Sequence, residues 1–473
     1  MSSPTLQRPS AASTRPEADQ ASLGTLLILL AGIFVATLDF FIVNVAIPDT
    51  QADLHIGNAA TQWIVAGYGL AVAAGLITGG RLGDMYGRRR LYGIGMAVFT
   101  LASAVCALAG GAGELIAARV VQGAGMALLM PQVLGIITVV FTGARQARAF
   151  AAYGATMGLA AVFGQLIGGA LIQADLFGLG WRTIYWINVP VGIVALALLR
   201  RMVPESRGAA GTRLDPIGVD LIIAALVAMV LPLIQGPSQG WPLWTWLSLA
   251  TAAVLLVVFA WYQTRLAARG ASPLVDPDLF HERSFRVGVV VALIYQMSVA
   301  SFFLFLALYL QQGRHLSPLT SGLLFLAIGA PYLFTSKLSE QLAVRLGRQV
   351  ITVGAVLQAV GFLLLIPATT ESIGLLIPGL IVVGAGMGLA MVPLPGTVLA
   401  RVSVHHAASA GGVLSTANQV GGALGIAVVG ILFYNHLTGG LGSAFVWSLL
   451  PMIVLCALAA ALVQLLPKLS AEK

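Results

Sequence analysis

The chain has 473 residues, of which 58% are hydrophobic and only 9% are charged, and its formal net charge is +8. The mean hydropathy of +0.94 excludes a soluble globular protein and is typical of a chain that crosses a membrane many times. The positive charge does not indicate nucleic-acid binding, because the basic residues are spread between apolar segments along the whole chain.

Apolar segments long enough to cross ~30 Å of hydrocarbon follow one another almost from end to end. Residues 1–20 precede them; they are polar and rich in Ser, Ala and Pro, so we expect a disordered tail. The first six predicted spans are 23–48, 59–79, 91–110, 115–139, 149–172 and 184–203. The other eight are 216–235, 244–263, 286–311, 318–338, 350–367, 373–395, 411–434 and 444–466. These fourteen spans predict an all-α membrane protein with both termini on the same side.

The distribution of Lys and Arg predicts which side that is. Only three of the 25 basic residues fall outside the tails and loops on the side of the termini: Arg119 lies within a span, and Arg182 and Arg314 lie in opposite loops. Because cytoplasmic loops retain positive charge, we place both termini in the cytoplasm and the protein in the inner (plasma) membrane.

Internal repetition predicts how the spans are grouped. QGAGMALLMP at 122–131 recurs as VGAGMGLAMVP at 383–393, and QLIGGALI at 165–172 recurs as NQVGGALG at 418–425. Parallel repeats of this kind indicate a transporter with a central site between two bundles. The predicted regions are an N-terminal six-helix bundle at 21–203, a linker with two extra transmembrane helices at 204–263, a cytoplasmic loop at 264–285, a C-terminal six-helix bundle at 286–466 and a cytoplasmic tail at 467–473.

Four motifs, in order, resemble those of the major facilitator superfamily. GGRLGDMYGRRR at 79–90 resembles its loop between spans two and three, and LIAARVVQGAGMA at 115–127 resembles its fourth-span motif. TLDFFIVNVAIP at 37–48 and WRTIYWINVPVG at 181–192 resemble motifs of its fourteen-span drug:proton antiporters. The resemblance implies the major facilitator fold and proton-coupled export of hydrophobic or amphipathic small molecules, such as drugs, antibiotics and dyes, by alternating access.

Asp39 is the only carboxylate well inside a predicted span, where a charge costs at least a few kcal/mol. At ~1.5 Å per residue, it lies about 13 Å from the end of the first span near Pro48, and Arg119 lies about 6 to 8 Å inside the fourth span. We predict that Asp39 and Arg119 are coupled, directly or through water, as the proton-coupling site. The alternative is a fixed ion pair that only holds spans one and four together.

The loop at 79–90 is the predicted cytoplasmic gate, through Gly80, Asp84, Gly87 and Arg88. Its glycines allow a tight turn and a close approach of helices, while Asp84 can pair with a neighbouring arginine or cap a helix. Breaking and remaking such contacts could hold and release one access state. The alternative is that the arginines of the loop only fix the topology.

Three glycines of the fifth span, Gly164, Gly168 and Gly169, are predicted to allow close helix packing. Antiporters of the family usually carry Pro immediately after the glycine that corresponds to Gly164, and here that residue is Gln165. The buried amide must find a partner. Gln165 either faces the substrate cavity or makes a hydrogen bond between helices, and the sequence leaves both open.

The predicted substrate cavity combines aromatic, thioether and amide side chains, which adapt to varied apolar ligands. With Gln165, its candidate residues are Asn44, Trp63, Tyr68, Gln122, Tyr295, Gln296, Phe303, Met387, Met391, Asn418 and Gln419. No cofactor is expected, since a proton gradient would drive transport. No metal site is expected either, because the adjacent His405 and His406 have no further ligand nearby in the sequence.

The sequence contains no Walker-type phosphate loop and no nucleophile with a base partner, so it predicts neither an enzyme nor ATP-driven transport. The expected partners are the substrate, protons and the lipid bilayer, without nucleic acid. A monomer is one option for the oligomeric state, and a periplasmic adaptor has no support in the sequence. A narrow exporter of one antibiotic or metabolite is an alternative function. A non-transporting membrane receptor or assembly partner is a weaker one.

Overall fold

The computed structural model describes residues 15–207, 214–271, 273–369, 372–399, 402 and 407–466. Within these ranges every regular element is a helix, and fourteen segments are long and apolar enough to cross a membrane. The predicted number of spans and the all-α fold are therefore confirmed. Residues 1–14 and 467–473 of the predicted tails lie outside the described residues, as do His405 and His406.

The first half of the chain begins with five long helices: α1 (Arg15–Leu54), α2 (Asn58–Tyr86), α3 (Arg88–Leu108), α4 (Ala112–Val140) and α5 (Gly143–Ala174). The sixth span contains α6 (Thr183–Trp186) and α7 (Asn188–Met202). The inserted pair is α8 (Pro216–Gln235) and α9 (Leu243–Ala268). Residues 15–20 belong to α1, which corrects the expectation of a disordered tail there. At its other end α1 continues past Pro48, since membrane helices tolerate proline.

The second half begins with α10 (Arg283–Leu308), which continues into a π-helical turn, Tyr309–Gly313. It is followed by α11 (Pro318–Leu346), α12 (Gln349–Ala368), α13 (Leu376–Met391), α14 (Pro393–Leu399), α15 (Ala407–Asn435) and α16 (Leu441–Val463). The predicted loop at 264–285 is shorter than expected, because α9 and α10 extend into it. We call the end of the bundles where α1 begins and α16 ends the near end, and the opposite one the far end.

The internal repetition corresponds to a repeated helix crossing. A Cβ atom added to Gly125 of α4 would lie 2.9 Å from the carbonyl oxygen of Gly95 on α3. In the second half, a Cβ atom added to Gly386 of α13 would lie 2.5 Å from the carbonyl oxygen of Gly354 on α12. Gly125 and Gly386 hold the same position in the two GAGM motifs. Both crossings are too close for any larger residue, which is why the repeat retains glycine.

The two bundles meet along two seams, α2 against α15 and α5 against α11. The inserted helix α8 packs against α2 and α15 together, so it lies along the first of these seams. The apolar cluster that joins the three helices contains Ala66, Leu70, Ala73, Leu226, Val230, Ile234, Val420, Ala423 and Ala427.

The far ends of the bundles are joined by two glutamines of the π-helical turn. Gln311 Nε2 donates to the carbonyl oxygen of Val45 at 2.8 Å, and Gln312 Nε2 donates to Gln51 Oε1 at 2.7 Å. Both acceptors are on α1. These bonds hold α1 of the first bundle against the end of α10 of the second.

Candidate functional site

Asp39 and Arg119 form a buried ion pair inside the N-terminal bundle. Arg119 Nη1 donates to Asp39 Oδ2, and neither side chain has any exposed surface. The contact between the two charged groups is therefore direct in this conformation. Because α1 ends at Leu54, Asp39 lies about 22 Å from the far end of its helix, deeper than the sequence predicted.

Two amides complete the contacts of the carboxylate. Gln122 Nε2 and Asn188 Nδ2 donate to Asp39 Oδ1 at 2.9 and 2.8 Å. Gln122, which was predicted to line the substrate cavity, thus belongs to this polar cluster. Asn188 was not predicted, although a buried amide within the apolar WRTIYWINVPVG motif was a signal that could have identified it.

Further groups fix the two amides and the guanidinium. Ser103 Oγ accepts from Gln122 Nε2 at 2.8 Å and from Asn188 Nδ2 at 3.3 Å. Arg119 Nη1 also donates to Gln122 Oε1 at 2.6 Å, and Arg119 Nε donates to the carbonyl oxygen of Ile64 at 3.1 Å. The Tyr68 ring lies 4.2 Å from Arg119 Cζ, in cation–π geometry. Tyr68, another predicted cavity residue, therefore faces the ion pair.

The cluster formed by Asp39, Ser103, Arg119, Gln122 and Asn188 suits an ionised carboxylate. Its three groups in contact with Asp39 are all N–H donors, whereas a protonated carboxyl needs an acceptor for its own O–H. Among the residues that the structure describes, none is hydrogen-bonded to the buried acceptor Asn188 Oδ1 or to the buried donor Arg119 Nη2. Protonation of Asp39 therefore requires the surrounding donors to rearrange.

A small apolar cavity lies between the bundles, on another face of α1. Its volume is about 40 Å³, room for a few water molecules and too little for a drug molecule. The Phe303 ring lies 5.3 Å from the Phe41 ring and stacks on the Phe325 ring at 5.5 Å between centroids. The lining residues are Phe41, Ala161, Val162, Val299, Phe303, Phe325, Ile328, Gly329, Tyr332, Met387 and Met391.

Of the predicted cavity residues, Phe303, Met387 and Met391 line this cavity. The other predicted ones do not, and two of the amides donate hydrogen bonds elsewhere. Gln165 Nε2 and Asn44 Nδ2 donate to the carbonyl oxygen of Phe41 at 2.8 and 3.2 Å. In this conformation the Gln165 amide nitrogen thus makes a bond between helices. Among the described residues, the buried Gln165 Oε1 and Asn44 Oδ1 have no hydrogen-bond partner. The remaining candidates outside the lining are Trp63, Tyr295, Gln296, Asn418 and Gln419.

The three predicted packing glycines place α5 between α1 and α11. A Cβ atom added to Gly164 would lie 3.1 Å from Phe41 Cβ, and one added to Gly168 would lie 2.6 Å from Val45 Cγ1. Gly169 faces the other way, where a Cβ atom would lie 2.7 Å from the carbonyl carbon of Pro318. Helix α5 therefore contacts both bundles through small residues.

The predicted gate loop joins three helices at the near end. Arg88 donates from Nε and Nη2 to Asp84 Oδ1, at 3.0 and 2.8 Å, and from Nη1 to the carbonyl oxygen of Gly135 on α4 at 2.7 Å. Gly87 turns the chain between α2 and α3 with φ +107°, a conformation that favours glycine. Gly80 faces Pro131 of α4. Asp84 thus pairs with an arginine of its own loop.

No group of three or more His, Cys, Asp and Glu residues that could hold a metal ion occurs within the described part of the chain.

Comparison with known proteins identifies relatives over most of the chain. The family model described as Major Facilitator Superfamily matches residues 29–426. The "Probable actinorhodin transporter" of Streptomyces coelicolor is 36% identical over 428 residues, which cover 88% of this chain and 73% of that one. The "Multidrug resistance protein Stp" of Mycobacterium tuberculosis is 33% identical over 426 residues, which cover 89% of this chain and 78% of that one.

Solved structures are similar to this chain in fold only. An auto-inhibited POT family peptide transporter superposes with a TM-score of 0.67 at 16% identity, over 95% of this chain and 96% of that one.

Proposed function

Because the chain belongs to the major facilitator superfamily, we propose that it exports hydrophobic or amphipathic small molecules in exchange for protons. It is a multi-pass membrane protein, and its relatives named for actinorhodin transport and multidrug resistance support this class of substrate. In this proposal the protein lies in the plasma membrane with both termini in the cytoplasm, so that the far end faces outwards.

The observation that carries the proposal is the position of α1 between the buried carboxylate and the cavity. Asp39 and Phe41 are two residues apart on this helix, about 200° around its axis. Asp39 faces the polar cluster and Phe41 lines the cavity. A rearrangement around Asp39 that moves or rotates α1 therefore also moves the cavity wall.

The coupling step follows from the donors around Asp39. A proton from outside neutralises the carboxylate, which weakens its bonds to Arg119 and the two amides and releases α1 from the rest of its bundle. The substrate leaves to the outside, the bundles then rock so that the cavity opens to the cytoplasm, and the proton is lost there before the next substrate binds. One proton moving through ~100 mV supplies ~2.3 kcal/mol, which sustains roughly a 50-fold gradient of a neutral solute.

Flux measurements in sealed proteoliposomes test this function. An imposed pH gradient should drive the uptake of several unrelated dyes by the wild type, and Asp39→Asn should abolish the driven component. Undiminished pH-driven flux through Asp39→Asn would reject the coupling role and leave Asp39 and Arg119 as a structural ion pair. Transport of one compound from a wide panel would favour a narrow exporter, and no flux at all would favour a receptor.

A further inference from the structure

The residues that line the cavity are almost entirely apolar. Eleven residues of the described part of the chain line it, all of them uncharged, and the Tyr332 hydroxyl is the only polar side-chain group among these eleven. Four of the eleven are aromatic, Phe41, Phe303, Phe325 and Tyr332, and Met387 and Met391 add two thioethers.

The carboxylate nearest in sequence to the lining cannot serve as a counter-charge in this conformation. Asp39 has no exposed surface, and its negative charge is paired with Arg119 in the same cluster. The two charges cancel, so the cavity experiences at most the field of a buried dipole. A cation in the cavity would lose its hydration without gaining an opposite charge, which is unfavourable in an apolar environment.

The aromatic rings could in principle attract a cation through their faces. Here, however, three of the four rings, Phe41, Phe303 and Phe325, are engaged with one another. Phe303 and Phe325 stack with 23° between their planes, and Phe41 meets Phe303 edge to face at 62°. Such a set accepts another flat ring by stacking or edge contact, and thioethers also pack well against aromatic rings.

We propose that this cavity, once separation of the bundles widens it, takes uncharged planar aromatic molecules, and that their export is electrogenic. The assignment of the ligand class depends on the cavity alone, whereas the electrogenic step rests on the proposed function. Exchange of one inward proton for one neutral molecule moves one positive charge across the membrane in each cycle. Exchange of a proton for a monovalent cation would move none. A membrane potential should therefore drive export even when the pH is equal on both sides.

Binding in lipid nanodiscs tests the ligand class, with protein-free discs as the blank. The probes are N-methylacridone, which is neutral, and N-methylacridinium, which has nearly the same shape and a permanent positive charge. The wild type should bind the neutral probe at least about tenfold more tightly. Binding of both probes within about threefold, or no binding of N-methylacridone, would overturn the assignment.

Two phenylalanines of α11 give a matched pair of variants. Phe325 is 2% exposed and lines the cavity, whereas Phe334 is 72% exposed and does not. Phe325→Ala should weaken binding of N-methylacridone about tenfold, and Phe334→Ala should leave it unchanged. Equal effects of the two variants would contradict the site. Met391→Glu, at a half-buried lining position, keeps the test decisive if Phe325→Ala fails to fold. This variant should bind N-methylacridinium at least about tenfold more tightly than the wild type, and no gain would count against the site.

Proteoliposomes loaded with potassium test the electrogenic step, with valinomycin setting the potential at equal pH. The potential should drive flux of N-methylacridone, and a pH gradient should drive it as well. Flux that responds to the pH gradient but not to the potential would overturn electrogenic exchange. If neither gradient drives flux while the binding preference holds, the proposed function fails and the ligand assignment stands.

Discussion

Asn188 Nδ2 donates a 2.8 Å hydrogen bond to Asp39 Oδ1, from the first residue of α7 to the middle of α1. The same amide carries a buried oxygen, Oδ1, that has no hydrogen-bond partner within the described part of the chain. If its amide turned over, Asn188 would present an acceptor to Asp39 in place of a donor. This side chain is thus equipped to bind both the charged and the protonated carboxyl, which makes it the residue through which the sixth span would sense the proton.

Replacing Asn188 with Ala should slow proton-driven transport without weakening substrate binding. The variant removes a hydrogen bond to a charged group, worth about 1.5–3 kcal/mol, so turnover should fall about tenfold or more. Asn188 does not line the cavity, so the dissociation constant of the substrate should stay unchanged. Flux and binding are measured on the same preparation.

A control for Asn188→Ala is Thr183→Ala in the same span. Thr183 Oγ1 donates to the carbonyl oxygen of Gly180 at 2.7 Å and has no bond to the polar cluster. The Thr183→Ala variant should therefore have a turnover near the wild-type value. Equal losses in the two variants would assign Asn188 a structural role only.

Removing one charge of the buried pair should destabilise the protein, whereas removing both should not. Asp39→Asn leaves the Arg119 guanidinium buried without an opposite charge, at a cost of about 3–5 kcal/mol. The double variant Asp39→Asn with Arg119→Gln should recover most of this stability. Neither variant should show proton-driven transport, because neither keeps the carboxyl group at position 39 that the proposed coupling uses.

Thermal unfolding in detergent, together with flux in proteoliposomes, separates the two roles of this pair. A single variant as stable as the wild type would mean that the guanidinium finds compensation elsewhere. Proton-driven flux in the double variant would show that Asp39 is not the coupling group.

Much of the fold could be predicted, because it depends on short-range patterns in the sequence. Apolar length gave the fourteen spans, and the repeated glycines indicated the crossings of α3 with α4 and of α12 with α13. The Asp39–Arg119 contact could also be predicted from the sequence, since two opposite charges at membrane depth have few other ways to be stabilised.

The cavity was harder to predict, because its lining depends on which face each helix turns to the other bundle. Gln165 and Asn44 look like ligand-binding amides in the sequence, but both donate to the Phe41 carbonyl oxygen. Tyr295 donates to Gln358 Oε1 within the second bundle. A buried amide or hydroxyl takes whichever acceptor is nearest in space, and that acceptor is often a carbonyl group that no sequence motif marks.

Replacing Asp84 with Asn should reduce turnover several-fold while substrate affinity remains unchanged. The Asp84–Arg88 pair is partly exposed, so its loss costs only about 0.2–1 kcal/mol, and Arg88 keeps its bond to Gly135. The effect should therefore appear in the rate of the conformational change rather than in the stability. Glu205→Gln is the matched control, since it removes the partner of Arg89 at 3.7 Å and leaves Arg88 untouched. Turnover like that of the wild type in Asp84→Asn would leave the loop as a topology anchor.

Linking Gln51 to Gln312 should stop transport, because their 2.7 Å hydrogen bond joins the two bundles at the far end. Two glutamine side chains span more distance than a disulfide allows, so the double cysteine variant Gln51→Cys with Gln312→Cys needs a short reducible crosslinker that reacts with thiols. The native Cys106 and Cys456 are both buried and should not compete for the reagent. Crosslinking should abolish flux, and reduction should restore it.

The same reagent should have no effect on either single cysteine variant. Continued flux through fully crosslinked protein, quantified by mass spectrometry of the linked peptides, would show that the far ends need not separate during transport. Recovery on reduction is the decisive observation. It distinguishes a gate that must open in each cycle from damage caused by the modification itself.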